Sequence, residues 1–107
     1  MTDMKDREQA FEAHFAHDQE LEFKAAMRRD RQLGHWAGEL MGLIGAELDA
    51  YAATVVRADL KEVGDDDVFT KVVADLAEKN VDILPSAVRA KMDLLYETAL
   101  KALKDGN

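Results

Sequence analysis

From Phe23 onward, apolar side chains return every three or four residues, at Phe23, Ala26, Leu33, Ala37, Leu40 and Ile44. That period gathers them on one face of an α-helix, with Asp30 the only polar member of the stripe. A second stripe, Leu48, Tyr51, Ala52, Val55, Val56, Leu60 and Val63, predicts a helix beginning near Ala46. Phe69, Val72, Val73 and Leu76 mark a third helix, and Val88, Met92, Leu95, Ala99 and Leu103 a fourth. The punctuation agrees. Gly45 and Gly64 stand where left-handed backbone commonly closes a helix. Asp66 or Asp67 is expected to cap the third helix, and the three carboxylates at Asp65, Asp66 and Asp67 suit its positive end. Pro85 and Ser86 favour a helix start. Short links between four helices imply antiparallel neighbours, so the expected fold is all-α, a small four-helix bundle.

The first twenty residues follow another pattern. Met4, Phe11, Phe15 and Leu21 are widely spaced among charged and amide side chains, which leaves a thin apolar stripe. A helix of that kind is marginal alone, because nucleation is costly and most protein helices rely on packing. The chain therefore divides into an N-terminal arm over residues 1–20, partly ordered or conditionally helical, and a four-helix domain over residues 21–107. Phe11 and Phe15 lie one turn apart. An arm so built can fold into a partner's groove with two aromatic anchors and flanking charges for register.

Composition narrows the function classes. Fourteen Lys and Arg against 22 Asp and Glu give a net charge of −8, repulsive towards nucleic acid and anionic membranes, so neither is an expected partner. The acidic excess is concentrated: residues 33–67 carry 8 acidic and 2 basic side chains. With no Cys, disulfides, thiolate catalysis and cysteine-ligated zinc are excluded. The opening MTDMKDREQAFEAHF lacks the apolar core of a signal peptide, and no stretch approaches ~18 uninterrupted apolar residues. A cytoplasmic chain, monomeric when free and without direct membrane insertion, is the expectation.

Few constellations suggest chemistry. His14, His17 and Asp18 could share a helical face around a metal, but no third preorganised ligand supports them, and solvated side chains are the simpler expectation. The Asp65 to Asp67 run lacks the ligand alternation of a calcium loop. Arg28, Arg29 and Arg31 form the one basic cluster; with Trp36 they could hold an adenine nucleotide or other phosphate ligand weakly, although pairing with neighbouring carboxylates is the plainer reading. Gly34, Gly38 and Gly42 recur every fourth residue, which suggests close approach of a second helix. The few Ser and Thr lack a nucleophile setting, so an enzyme is not expected and no cofactor is required.

The run Asp6-Arg7-Glu8, Ala10-Phe11-Glu12-Ala13, Phe15-Ala16-His17-Asp18, Glu20-Leu21 and Phe23-Lys24-Ala25 resembles the zeta subunit family of alphaproteobacterial F-type ATP synthases. The likeness continues through Arg28-Arg29, Leu33-Gly34, Trp36-Ala37 and Leu40, and more loosely to Arg89-Ala90-Lys91. The resemblance implies a four-helix, non-catalytic regulator that binds the catalytic head, built of alpha, beta and gamma subunits, at the cytoplasmic face of the inner membrane. It also implies that the N-terminal segment is the element that inhibits ATP hydrolysis. Carried over by position, that segment is Met1 to about His17, with Asp6, Arg7, Glu8, Phe11, Glu12, Phe15 and His17 as its contact residues. This sequence departs from the pattern at His14, where the family often has Lys, and at Asp30, where it often has Asn.

Overall fold

The structure, a computed structural model, describes the backbone of residues 3–106 and the side chains of residues 17–106. Among the described residues, four helices follow in order: α1 Asp3–Leu40, α2 Gly45–Asp59, α3 Asp66–Glu78 and α4 Pro85–Lys104. They form the all-α four-helix bundle that the periodicity predicts. α1 packs most extensively against α2 and α4, and α3 closes the remaining side. Leu33 and Ala37 of α1, Val55 of α2, Val68, Val72 and Leu76 of α3, and Val88 and Met92 of α4 make one buried core. Half-buried Trp36, Tyr51, Phe69 and Leu95 lean on it.

α1 runs unbroken through the segment that the sequence divides into arm and domain. Its buried row differs from the expected stripe. Leu21, Ala25, Arg29, Leu33 and Ala37, spaced by four, face inward with Asp30, while Phe23 is 57%, Leu40 44% and Ile44 79% exposed. Both rows suit a helical period; the inward one carries the small residues that let neighbouring helices close. A Cβ at Gly34 would lie 2.6 Å from the Ala52 Cα, and one at Gly38 2.5 Å from the Leu48 Cδ1. These two glycines bring α1 against α2, as their spacing suggests.

Gly42 has another task. α1 stops at Leu40, and Gly42, at φ +87°, closes it: the Leu43 N–H donates to the Gly38 carbonyl (2.9 Å) and the Gly42 N–H to that of Glu39 (3.0 Å). Gly45 therefore begins α2 and does not end α1. Asn80, at φ +60°, ends α3 in the same way, with the Val81 N–H on the Leu76 carbonyl at 2.9 Å. α2 ends at Asp59, before Gly64, so Leu60 and Val63 lie outside the core and Val63 is fully exposed. The expected side-chain cap of α3 is absent: Asp65 is the N-cap residue but makes no cap bond, and Asp66 and Asp67 fill the first turn. The Asp65 carboxylate is taken by arginines instead. At α4 the helix opens on Pro85 after Leu84, with Ser86 already inside it.

Candidate functional site

The inward row of α1 brings an arginine and an aspartate into a core otherwise made of aliphatic side chains. Arg29 is 6% exposed and Asp30 fully buried. The Arg29 Nε donates to Asp30 Oδ1 at 2.9 Å and its Nη2 to Asp59 Oδ2, at the end of α2, at 3.2 Å. Its Nη1 lies 3.6 Å from Asp65 Oδ2 in the α2–α3 loop. The Tyr96 ring of α4 sits 5.5 Å from the guanidinium, completing a cage of carboxylates and an aromatic face. Asp65 is also held by Arg89 of α4 at 2.9 Å, and Arg89 lies 4.6 Å over the Phe69 ring of α3. One network, buried at Arg29 and Asp30 and half-buried at Asp65 and Arg89, thus ties α1 to all three other helices.

Asp30 is the sensitive member. Burial, helped by a hydrogen bond to Asp59, pushes its carboxyl up to about 8 against the opposing pull of Arg29. Two ionised carboxylates cannot bond one another, and Asp30 Oδ2 has no donor. A proton on Asp30, which that upward shift favours, would give this oxygen a bond to make. Away from this hub, the Tyr51 phenol of α2 donates to Asp75 of α3 at 2.8 Å, and Lys71 reaches the same oxygen at 2.9 Å. Burial and the Asp75 carboxylate hold that phenol far above its ordinary range.

Beside the hub an open groove of about 770 Å³ runs between the middle of α1, the α2–α3 loop and α4. Its apolar lining includes Phe23, Leu60, Val63 and Tyr96, and the buried Arg29 also lines it. Periodicity assigned Phe23, Leu60 and Val63 to core faces; the fold places them around this opening instead.

The sequence-proposed contact residues fall into two groups. The side chains of Asp6, Arg7, Glu8, Phe11, Glu12 and Phe15 lie outside the described residues, as does that of His14. His17 is exposed. Of the basic cluster, Arg29 is engaged by protein carboxylates, Arg28 is half-buried and Arg31 exposed. Trp36 sits two turns beyond Arg29, half-buried on the core, with the Lys91 ammonium 5.8 Å from its ring. The groove includes Arg29 but neither Arg28 nor Trp36, so these three do not converge on a common opening. No group of three or more His, Asp or Glu placed to hold a metal occurs among the described residues. None of the helices, over the described residues, is long and apolar enough to cross a membrane.

The buried Arg29 hub escaped sequence reasoning, although it left one trace there: Asp30 interrupting an otherwise apolar stripe. Its other members, Asp59, Asp65, Arg89 and Tyr96, are scattered over three further elements and carry no local signal.

A family model described as ATPase inhibitor subunit zeta matches residues 1–102. The chain belongs to that family. The resemblance carried by Asp6 to Trp36, and more loosely to Lys91, is thereby confirmed. A relative solved in solution by NMR is 41% identical and superposes with a TM-score of 0.69, the match covering 81% of this chain and 99% of that one. No curated protein matches. Membership of an ATPase inhibitor family makes the chain a regulatory, non-catalytic protein.

Proposed function

We propose that this chain inhibits ATP hydrolysis by the catalytic head of an F-type ATP synthase, through insertion of its N-terminal segment at an interface that must open during rotary hydrolysis. The observation that carries this reading is the family match, which spans the arm and the bundle together. α1 supports it. Among the described side chains the first buried one is Leu21, and from there onward the bundle grips the helix. On this reading the portion before it serves the partner, with Phe11 and Phe15 as its anchors.

Inhibition then needs no bond chemistry. A helix seated in one conformation of an interface binds that state preferentially and shifts the population towards it. If the arm orders only on binding, that ordering costs ~2 to 5 kcal/mol, which the two rings must offset by burial. The head's alpha, beta and gamma subunits are the proposed contacts, at the cytoplasmic face of the inner membrane.

The test is ATP hydrolysis by the cognate head with wild-type chain and a Phe11→Ala, Phe15→Ala variant. Loss of at least tenfold in inhibitory potency, with unchanged melting of the free protein, is expected. Equal potency would show that the rings are not the anchors. Weak nucleotide binding near Arg28, Arg29 and Trp36 is the second reading, and no specific observation favours it.

A further inference from the structure

The groove at the root of α1 has two properties that the hub does not explain. Phe23 at 57%, Leu60 at 60% and Val63 at 105% exposure place large apolar groups in water around one opening. Isolated exposed apolar residues are ordinary, but three converging from α1 and the α2–α3 loop make a patch of the kind that marks contact sites. Around them stand four exposed carboxylates, Glu22 of α1, Glu62 of the loop, and Asp93 and Glu97 of α4. None of the four has a salt bridge among the described residues, whereas Asp59 and Asp65 deeper in the groove are paired with Arg29 and Arg89. Among the described residues Arg29 is the only basic side chain in the lining, and it is buried beneath those pairs.

We propose that this groove docks a basic, apolar-faced segment of the partner, a cationic amphipathic helix whose apolar side chains cover Phe23, Leu60 and Val63 while Lys or Arg meet the acidic rim. Charge selects the occupant. Two copies of this chain would oppose one acidic rim to another, and an anionic membrane would be repelled. The proposal rests on the inhibitor reading for the segment's source, the catalytic head. The groove lies where α1 enters the bundle, so an arm seated in the head carries the groove to the head's surface. It supplies a second contact, and two linked contacts hold more tightly than either alone because the second forms at high effective concentration.

Two measurements on the full chain test this. The first titrates a labelled 16-residue synthetic peptide, with Leu at helical spacing and Lys on its flanks, while amide shifts are recorded. Saturable binding is expected, with shifts clustered in 19–29, 59–65 and 93–97. Phe23→Ser with Val63→Ser, both at exposed positions, should weaken it at least tenfold, as should changing the peptide's Lys to Glu. Absence of binding at millimolar peptide, shifts centred elsewhere, or equal affinity for either altered form overturns the proposal.

The second places a photoreactive residue at Val63 in chain bound to the head. Cross-linking to a segment rich in Lys or Arg supports the proposal; a bound head with cross-links to an acidic segment, or with none, overturns it. A chain that does not bind the head at all overturns the inhibitor reading instead, and the peptide titration then decides the groove by itself.

Discussion

At Asp30 the fold holds a carboxyl with no exposed surface beside a second carboxylate, Asp59, with one guanidinium between them. Its folded state keeps a proton that an unfolded Asp, at an ordinary 3.8, releases in mild acid. The sign follows: this group's contribution to stability is complete below about pH 4 and is lost as pH rises towards about 8. Asp30→Asn, the residue that the zeta resemblance expects here, supplies an amide donor at every pH. Urea unfolding at pH 5 and pH 8 should show wild type losing more stability than Asp30→Asn over that interval; parallel losses would mean that Asp30 is ionised throughout. Arg29 is the complementary case. Arg29→Ala leaves Asp30 and Asp59 buried without their cation and should cost about 3 to 5 kcal/mol in urea unfolding. Arg29→Lys should recover only part of that, because an ammonium lacks the planar fork that reaches three carboxylates and lies against Tyr96.

Helix contacts turn on which of two adjacent rows of α1 faces inward. The period of apolar residues reveals that a helix is amphipathic but not where its neighbours will close, and here they close on glycines. The backbone of Ala52 blocks a Cβ at Gly34, whereas at Gly38 the obstruction is the mobile end of Leu48. Ala raises intrinsic helix propensity by about 1 kcal/mol at either site. Gly34→Ala should nevertheless destabilise by roughly 1 to 3 kcal/mol through overpacking, and Gly38→Ala by less, or not at all. Thermal melts of the two variants compare them directly; a more stable Gly34→Ala would mean that α1 and α2 stand further apart. The same reasoning explains what was legible in the sequence. The four helices could be read because buried aliphatic stripes repeat in each, as could the starts of α2 and α4; the C-terminal ends of α1 and α3 could not, because Gly42 and Asn80 close them through backbone conformation. Leu60 and Val63 continued the period of α2 past the point where the backbone leaves the helix at Asp59.

The molecule as a whole is long and narrow, 65 × 24 × 21 Å. At 1.5 Å per residue the 38 residues of α1 span ~57 Å, so one helix accounts for most of the length. The Arg29 hub fixes this helix to the bundle about a third of the way from its C-terminal end, which gives the leading portion a firm mount. Aliphatic density changes near Leu21, which is why the sequence suggests a leading arm and a packed remainder. The groove left no such signal, since it joins residues as far apart as Gln19 and Glu97 and its apolar members mimic core.

The central claim is that the leading segment inhibits and the bundle carries it. ATP hydrolysis by the cognate catalytic head, measured with full-length chain and with residues 1–19 removed, tests it most directly. Truncation there removes no described buried side chain, so far-UV helicity per residue and cooperative melting should persist. The account predicts inhibition by the full chain and none by the truncated one at the same concentration; full inhibition by a truncated, folded bundle would contradict it.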